Sequence, residues 1–158
     1  FDHCLEVTAK IIAAGIPVMG HIGLTPQTAE QLGGFKVQGK DADAARKLIE
    51  QAQALDKAGC FSIVLECVPD KIARIITQRI SIPTIGIGAG IYTDGQVLVI
   101  NDVLGLFDRY TPKFVKKYVN LSPLILEALQ NYRKDVVEGQ FPGPEHTFSI
   151  KDSELKKL

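Results

Sequence analysis

Glu66 is the residue of this sequence best placed to do chemistry. It ends the short apolar run Phe61–Leu65, and Cys67, Val68 and Pro69 lead from it into a helical pattern. A continuous apolar run of this length is typical of a parallel strand that is buried on both faces. A carboxylate at the end of such a strand lies at the mouth of a βα loop, where α/β proteins place catalytic groups. The pattern therefore indicates a candidate acid or base.

Other polar groups follow the remaining predicted strands. These groups are His21, the turn Gly88–Gly90, and Asn101 with Asp102. An imidazole, carboxylates and free backbone amides at one edge suit proton abstraction from a small oxygenated substrate. Each also has a plainer interpretation: a loop cap for His21, a Lys or Arg partner for Glu66, a turn cap for Asp102 and tight packing for the glycines. The glycine turn would let backbone amides approach a phosphate or carboxylate, but it lacks both the Walker A pattern and the dinucleotide spacing.

Composition excludes several classes of partner. Lys plus Arg equals Asp plus Glu at 18 each, so no charge excess favours nucleic acid or anionic membrane. No apolar run approaches the ~18 residues that span a bilayer. The three cysteines, Cys4, Cys60 and Cys67, lack paired metal-ligand spacing. They favour reduced thiols in a cytoplasmic protein, each acting as a small buried apolar residue.

The position of the only methionine indicates a fragment. That residue is Met19, and the sequence begins with Phe1. Translation could not have started at any of the preceding residues, and a start at Met19 would leave those residues unexplained. We therefore expect the chain to be a piece of a longer protein.

Helical and extended patterns alternate along the chain. Predicted helices cover residues 4–14, 41–58, 69–80, 112–119 and 122–138, and predicted strands cover 16–20, 61–66, 82–87 and 96–102. Asp41 or Asp43 is expected to cap the second helix. The predicted inward face of that helix is Ala45, Leu48, Ile49, Ala52 and Leu55. The irregular stretch 31–40 is interpreted as a functional loop, and the tail 139–158 as an extended surface segment.

This order predicts a parallel sheet covered by helices on its outer face. Four strands cannot close a barrel, and a (β/α)8 barrel needs roughly 250 residues. The 158 residues therefore look like the second half of such a barrel, together with C-terminal helices. A small open doubly wound sheet is the alternative.

Six segments resemble the ketopantoate hydroxymethyltransferase family, in the right order and across residues 16 to 148. They are Gly20–Gln27, Gly33–Gly39, Val64–Pro69, Ile82–Gly90, Thr93–Val99 and Phe141–His146. The resemblance implies a (β/α)8 TIM barrel enzyme that transfers a hydroxymethyl group from 5,10-methylenetetrahydrofolate to 3-methyl-2-oxobutanoate. The product is 2-dehydropantoate (ketopantoate), in pantothenate biosynthesis. A divalent metal, usually Mg²⁺, binds the oxo acid and stabilises its enolate.

The resemblance also implies roles for two residues. Glu66 matches the proposed base of the family, and His21 matches a histidine near the substrate. The family's metal-binding aspartates, and its substrate-binding lysine and serine, belong to the first half of the barrel. We therefore assign no metal ligand in this chain and expect the Mg²⁺ ligands outside it.

The resulting hypothesis is that residues 1–158 form the C-terminal portion of a single barrel domain, with 139–158 as its tail. Its expected partners are the oxo acid, the missing N-terminal half and further copies in a cytoplasmic homo-oligomer. Two alternatives stay open. One is a related Mg²⁺-dependent (β/α)8 lyase acting on a 2-oxo acid, and the other is an inactive half-barrel fragment.

Overall fold

The computed structural model describes residues 2–26, 36–107 and 109–158 of the chain. In these ranges helices alternate with short strands. The elements are α1 (Asp2–Ala13), β1 (Met19–Gly23), α2 (Ala42–Lys57), β2 (Ser62–Glu66), α3 (Asp70–Arg79), β3 (Thr84–Ile87), β4 (Gly95–Gln96), α4 (Ile100–Val103), α5 (Ser122–Val137), a 3-10 helix (Pro144–His146) and α6 (Asp152–Leu155). Among these helices, none has the length and apolar character needed to cross a bilayer.

The strands described form one parallel sheet in the order β1-β2-β3-β4. Helix α2 connects β1 to β2, and α3 connects β2 to β3, so the first three strands make two βαβ units. The predicted parallel sheet is confirmed. Because all the strands run the same way, their carboxyl ends lie at one edge of the sheet.

The two faces of the sheet differ in composition and burial. Ile22, Ile63 and Leu65 lie on the face covered by α2 and α3 and are at most 3% exposed. The opposite face carries His21, Val64 and Ile85, which are direct partners across the three strands and are exposed or half-buried. Alternate residues of a strand point to opposite faces, so Glu66 shares the second face with Val64.

Helix α2 forms where the sequence predicts it. The Asp41 carboxylate accepts a hydrogen bond from the Ala44 amide at 2.8 Å, as an N-cap should. Gly59, with φ of +92°, follows the helix and lets the chain turn into β2. The buried residues of α2 belong to the predicted inward face: Ala45, Leu48, Ala52 and Leu55. These side chains supply the helix side of the core.

The chain divides into two compact units. One comprises Phe1–Ile100 with Pro112–Lys116, and the other Asn101–Thr111 with Lys117–Leu158. In the second unit, α5 has no buried residue. The tail contains two short helices rather than being extended throughout, and the Phe141 ring contacts Tyr132 at a centroid distance of 5.6 Å.

The predicted first strand, residues 16–20, is wrong by three residues. The strand observed is Met19–Gly23, so His21 lies inside β1 and not in the loop after it. In the sequence, Gly23 and Pro26 suggest a loop that begins at His21. In the structure Gly20 is buried against α2, where an added Cβ would lie 3.0 Å from the Leu55 side chain.

The predicted fourth strand, residues 96–102, is largely wrong. Only Gly95 and Gln96 pair with β3, and residues 100–103 form α4. Gly88, with φ of +65°, turns the chain away just after β3. An apolar run forms a strand only where a neighbour supplies hydrogen-bonding partners, and β3 offers few beyond Val97.

The predicted helix over residues 112–119 does not form. In this stretch the Val115 amide donates to the Pro112 carbonyl at 3.0 Å, which is a turn. The Phe114 ring packs so closely on Gly88 that a Cβ there would lie 2.8 Å from Cδ1 of the ring. Tertiary packing overrides weak helix propensity here. The prediction for Cys4 is also wrong, because Cys4 is exposed while Cys60 is buried.

Candidate functional site

The structure brings His21 and Glu66 together. In the ladder between β1 and β2, Gly23 is opposite Glu66 and His21 is opposite Val64, so both side chains leave the same face. His21 Nε2 lies 3.0 Å from Glu66 Oε2. The side chains are 35% and 15% exposed respectively. The partner of Glu66 is therefore the imidazole and not a lysine or arginine, the plainer interpretation of the sequence.

This contact defines what the pair can do. With a proton on Nε2, His21 donates a hydrogen bond to the Glu66 carboxylate and limits its rotation. The other carboxylate oxygen stays available to accept a proton from a bound molecule. A carboxylate held in this way, at the carboxyl end of a parallel strand, is suited to act as a general base.

The backbone around Glu66 is held by three other segments of the chain. The Glu66 carbonyl accepts a hydrogen bond from the Leu24 amide at 2.9 Å. The Cys67 amide donates to the Ile87 carbonyl, and the Cys67 carbonyl accepts from the Gln38 amide, both at 2.9 Å. Each bond comes from a different segment, so the end of β2 is fixed from both neighbouring strands.

Two unusual backbone conformations make this arrangement possible. Gly23 has φ of +92°, and a Cβ there would collide with the Glu66 carbonyl and with Val68. Cys67 has φ of +52°. That conformation costs a residue with a side chain about 1–2 kcal/mol.

The Cys67 thiol is not a second catalytic group. Burial, and then the negative charge of Glu66, raise the pKa of Cys67 above its ordinary value of 9.0. The pKa of Cys60 is also raised, by burial and by the neighbouring Cys4. Both thiols therefore stay protonated near neutral pH, whereas the nucleophile and the metal ligand would be the thiolate.

A groove of about 740 Å³ runs beside β1. It is lined by residues of α1, β1 and α2, including Thr8, His21, Lys47 and Leu55, but not by Glu66. In the described ranges β1 pairs with β2 alone, so its other edge borders the groove. The groove therefore lies at the edge of the sheet and does not include the Glu66 carboxylate.

The glycine turn is explained by packing. Gly88 lies under the Phe114 ring, and a Cβ at Gly90 would collide with the Asp70 side chain. The Gln96 side-chain amide donates to the Gly90 carbonyl at 2.8 Å. The interpretation as a tight turn, which the sequence left open beside anion binding, fits these contacts.

Asn101 and Asp102 are not at the end of a strand. Both lie in α4 and belong to the second compact unit. The expectation that they share a sheet edge with Glu66 depended on a fourth strand through residue 102, and that strand ends at Gln96.

The residues described here do not fit a metal ion. Nowhere in residues 2–26, 36–107 and 109–158 do three or more His, Cys, Asp or Glu side chains gather in a way that could hold one. His21 and Glu66 make only a pair, and they are bonded to each other. Residues 31–35 of the predicted functional loop lie outside the described residues.

Sequence reasoning missed the conformation of Cys67 and the bond between His21 and Glu66. Nothing in the sequence marks a cysteine as left-handed, because glycine and asparagine are the usual signals. The bond could have been predicted, because two polar residues near the ends of adjacent parallel strands can lie side by side on one face of the sheet.

The fold and the pair define a class, an α/β protein with a base candidate at the carboxyl edge of a parallel sheet. Comparison with known proteins makes the class specific. Residues 2–144 match the family described as Ketopantoate hydroxymethyltransferase, and the chain belongs to that family.

Three curated relatives of this chain share the name 3-methyl-2-oxobutanoate hydroxymethyltransferase. The relative from Syntrophomonas wolfei is 61% identical over 154 residues, covering 98% of this chain and 56% of the relative. The relative from Heliobacterium modesticaldum is 64% identical, covering 94% of this chain and 53% of the relative. The one from Enterococcus faecalis is 59% identical, covering 98% and 57%. The chain thus spans about half the length of these relatives.

Proposed function

We propose that this chain is part of an enzyme that transfers a hydroxymethyl group from 5,10-methylenetetrahydrofolate to 3-methyl-2-oxobutanoate. The product would be 2-dehydropantoate, for pantothenate biosynthesis. The observation that carries the proposal is the Glu66 carboxylate, held 3.0 Å from His21 Nε2 at the carboxyl end of β2. Membership of the family and the shared name of the relatives support it.

Glu66 is the proposed base. Its carboxylate removes the proton on C3 of the oxo acid, and the electron pair of that C–H bond passes into the enolate of the neighbouring carbonyl. At the folate donor, water adds to the methylene carbon as both of its carbon–nitrogen bonds break. Tetrahydrofolate leaves with the two protons of that water, and the carbon becomes formaldehyde. The enolate carbon then forms a bond to this carbon, and the new alkoxide takes the proton from Glu66 to give the hydroxyl group.

His21 is the proposed partner of the base and a contact of the substrate. Its hydrogen bond keeps the Glu66 carboxylate turned to the open face of the sheet. The ring is 35% exposed, which leaves part of its surface for the oxo acid. Removing the partner of a partly buried charge is costly, so the two residues are expected to act as a unit.

The rest of the family's chain would complete the barrel. Parallel sheets are covered on both faces, yet the face with His21, Val64 and Ile85 is exposed or half-buried. Within the described part of the chain, β1 also has an open edge beside the groove. We propose that this chain is the C-terminal portion of a (β/α)8 barrel, and that the remaining half supplies the strands that cover this face.

The same half would supply the metal site. By resemblance to the family, whose metal-binding aspartates belong to the first half of the barrel, the Mg²⁺ ligands are proposed to lie outside this chain. By resemblance to the family, we also propose a homo-oligomer in the cytoplasm. Catalysis then requires both halves, whereas this chain contributes the base and its partner.

The test uses what we call the completed protein: the unmatched N-terminal part of the Syntrophomonas wolfei relative joined ahead of this chain. Supplied with Mg²⁺, 3-methyl-2-oxobutanoate and 5,10-methylenetetrahydrofolate, it should form 2-dehydropantoate. In D₂O without the folate, it should exchange the C3 proton. Glu66→Gln should lower both rates by about 10²–10⁴-fold.

Glu50→Gln, the same change on the exposed surface of α2, is the matched control and should leave both rates within twofold. Consumption of 3-methyl-2-oxobutanoate without the folate would favour a (β/α)8 lyase. Failure of a folded completed protein to exchange or transfer would favour an inactive fragment. Equal rates for Glu66→Gln and Glu50→Gln would exclude Glu66 as the base.

A further inference from the structure

The residue directly after the proposed base has a backbone conformation that side chains normally avoid. Cys67 has φ of +52°, and it is the one residue other than glycine with positive φ in the ranges described. Strain of this kind persists only where the surrounding structure holds it, and it is concentrated at active sites. Its position next to Glu66 therefore calls for a physical explanation.

Hydrogen bonds from neighbouring segments hold Cys67 in this conformation. The Cys67 amide donates to Ile87 at the end of β3, and its carbonyl accepts from Gln38 in the segment before α2. The preceding carbonyl, that of Glu66, accepts from Leu24 just after β1. Three hydrogen bonds of 2.9 Å thus meet on two consecutive residues, and each comes from a different part of the chain.

The left-handed turn also ends the strand at a defined point. An extended residue 67 would continue β2 along the sheet. Instead the chain turns, Val68 becomes 2% exposed in the core, and Pro69 precedes α3. Glu66 is consequently the last strand residue, with its side chain on the face that carries His21.

We infer that the left-handed backbone of Cys67 is a positioning device that aims the Glu66 carboxylate at His21 and at the substrate. This inference rests on the proposed function. Cys67 itself acts through Glu66 and is a positioning residue. Its half-buried, protonated side chain takes no part in the chemistry. The identity of the residue matters because only some side chains tolerate this conformation.

Two substitutions of similar size distinguish the effect of the Cys67 backbone conformation from the effect of its side chain. Asparagine tolerates the left-handed region, whereas β-branched threonine does not. In the completed protein, Cys67→Asn should keep kcat for C3 proton exchange within about threefold. Cys67→Thr should lower kcat between tenfold and about 100-fold with KM changed less than threefold, because displacement of a reacting group acts on the rate. Cys67→Gly, which adopts this φ freely, should behave like Cys67→Asn.

A second readout does not depend on activity. The ¹⁵N chemical shifts of the His21 ring report whether Nε2 is bonded to the Glu66 carboxylate. The shifts should match the parent in Cys67→Asn and Cys67→Gly, and should change in Cys67→Thr. A role limited to stability would instead lower Tm without moving kcat per folded molecule or the ring shifts.

Several outcomes would overturn the inference. Equal kcat and equal His21 shifts in the threonine and asparagine variants would do so. A loss of tenfold or more in Cys67→Gly or Cys67→Asn would also do so, and this decides the matter even if Cys67→Thr does not fold. If the parent exchanges no proton, the proposed function falls, while the His21 shifts still test the positioning role.

Discussion

At the scale of single residues, the hydrogen bond between His21 and Glu66 gives the site its character. Its length of 3.0 Å is typical of a nitrogen donor on a carboxylate. Glu66 is 15% exposed, so water reaches it but does not surround it. In such a place one directed donor restricts a carboxylate more than solvent would, because the effective dielectric constant is lower than in water.

Replacing His21 should therefore affect the rate more than the fold. We expect His21→Phe to lower kcat for C3 proton exchange in the completed protein by at least about tenfold, since positioned acid–base groups contribute 10²–10⁴-fold. His21→Gln keeps an amide that can donate to Glu66, so its kcat should fall less than that of His21→Phe. Steady-state kinetics of the two variants check this.

Comparing kcat and KM between His21→Phe and His21→Gln shows how His21 acts. If His21→Phe stays within twofold of the parent, the hydrogen bond has no part in the reaction. If the two variants lose equal amounts in kcat and raise KM strongly, His21 acts through the substrate and not through Glu66.

Sequence reasoning reached the residues of this site but not their geometry. A strand ending in a carboxylate identifies Glu66 because its apolar run is unambiguous. The sequence predicts a loop from His21 onward because Gly23 and Pro26 lie at turn positions. In the structure Gly20 and Gly23 are present for close packing against Leu55 and the Glu66 carbonyl. A pattern of single residues does not reveal such cross-strand contacts.

At the scale of elements, a partly buried polar network joins β3 to the loop before β4. Asp94 Oδ2 accepts from the Thr84 amide at 2.8 Å and from its hydroxyl at 3.0 Å. Because that hydroxyl hydrogen is used, Thr77 is the donor in its 2.9 Å contact with Thr84. Thr84 is fully buried, so its polar groups depend on these partners.

Asp94→Ala should destabilise the fold at this point. Hydrogen bonds to a charged group contribute about 1.5–3 kcal/mol each, and an unsatisfied buried donor adds its own cost. We expect Tm of the completed protein to fall by several degrees, with KM for the oxo acid unchanged. Differential scanning calorimetry measures the first and steady-state kinetics the second.

Glu50→Ala, which removes an exposed carboxylate from α2, should leave Tm within a degree or two. If Asp94→Ala also has no effect on Tm, the network does not hold β3. A large rise in KM with unchanged Tm would place Asp94 in the site instead.

Elements with a strong periodic pattern were predicted well, and those that depend on neighbours were not. Helix α2 has an N-cap residue, an apolar inward face and a glycine just after its end, and all three are local features. Residues 96–102 and 112–119 have apolar patterns without such boundaries. Their structure follows from where Gly88 turns and from what Phe114 packs against, and both are tertiary facts.

At the scale of the whole molecule, the sheet carries an apolar face with little cover. Val64, Ile85 and Ile87 lie there half-buried, and Met19 is 43% exposed at its edge. Separately, α5 exposes Leu124, Leu126 and Leu129 by 57–60%. Apolar surface of this extent and an open strand edge are features that soluble chains normally cover.

Residues 1–158 produced alone should therefore associate with themselves. We expect light scattering after size-exclusion chromatography to show species well above the 17.2 kDa of one chain, together with binding of a hydrophobic dye.

Co-expression with the N-terminal part of the Syntrophomonas wolfei relative should yield a defined complex in which dye binding falls, because the added strands cover the face that carries Val64 and Ile85. The control is the same N-terminal part mixed with a chain carrying Val64→Lys and Ile85→Lys, which should not form the complex. A monodisperse, cooperatively unfolding preparation of the chain alone would contradict this prediction, and would mean that the exposed face is stable in water without the other half.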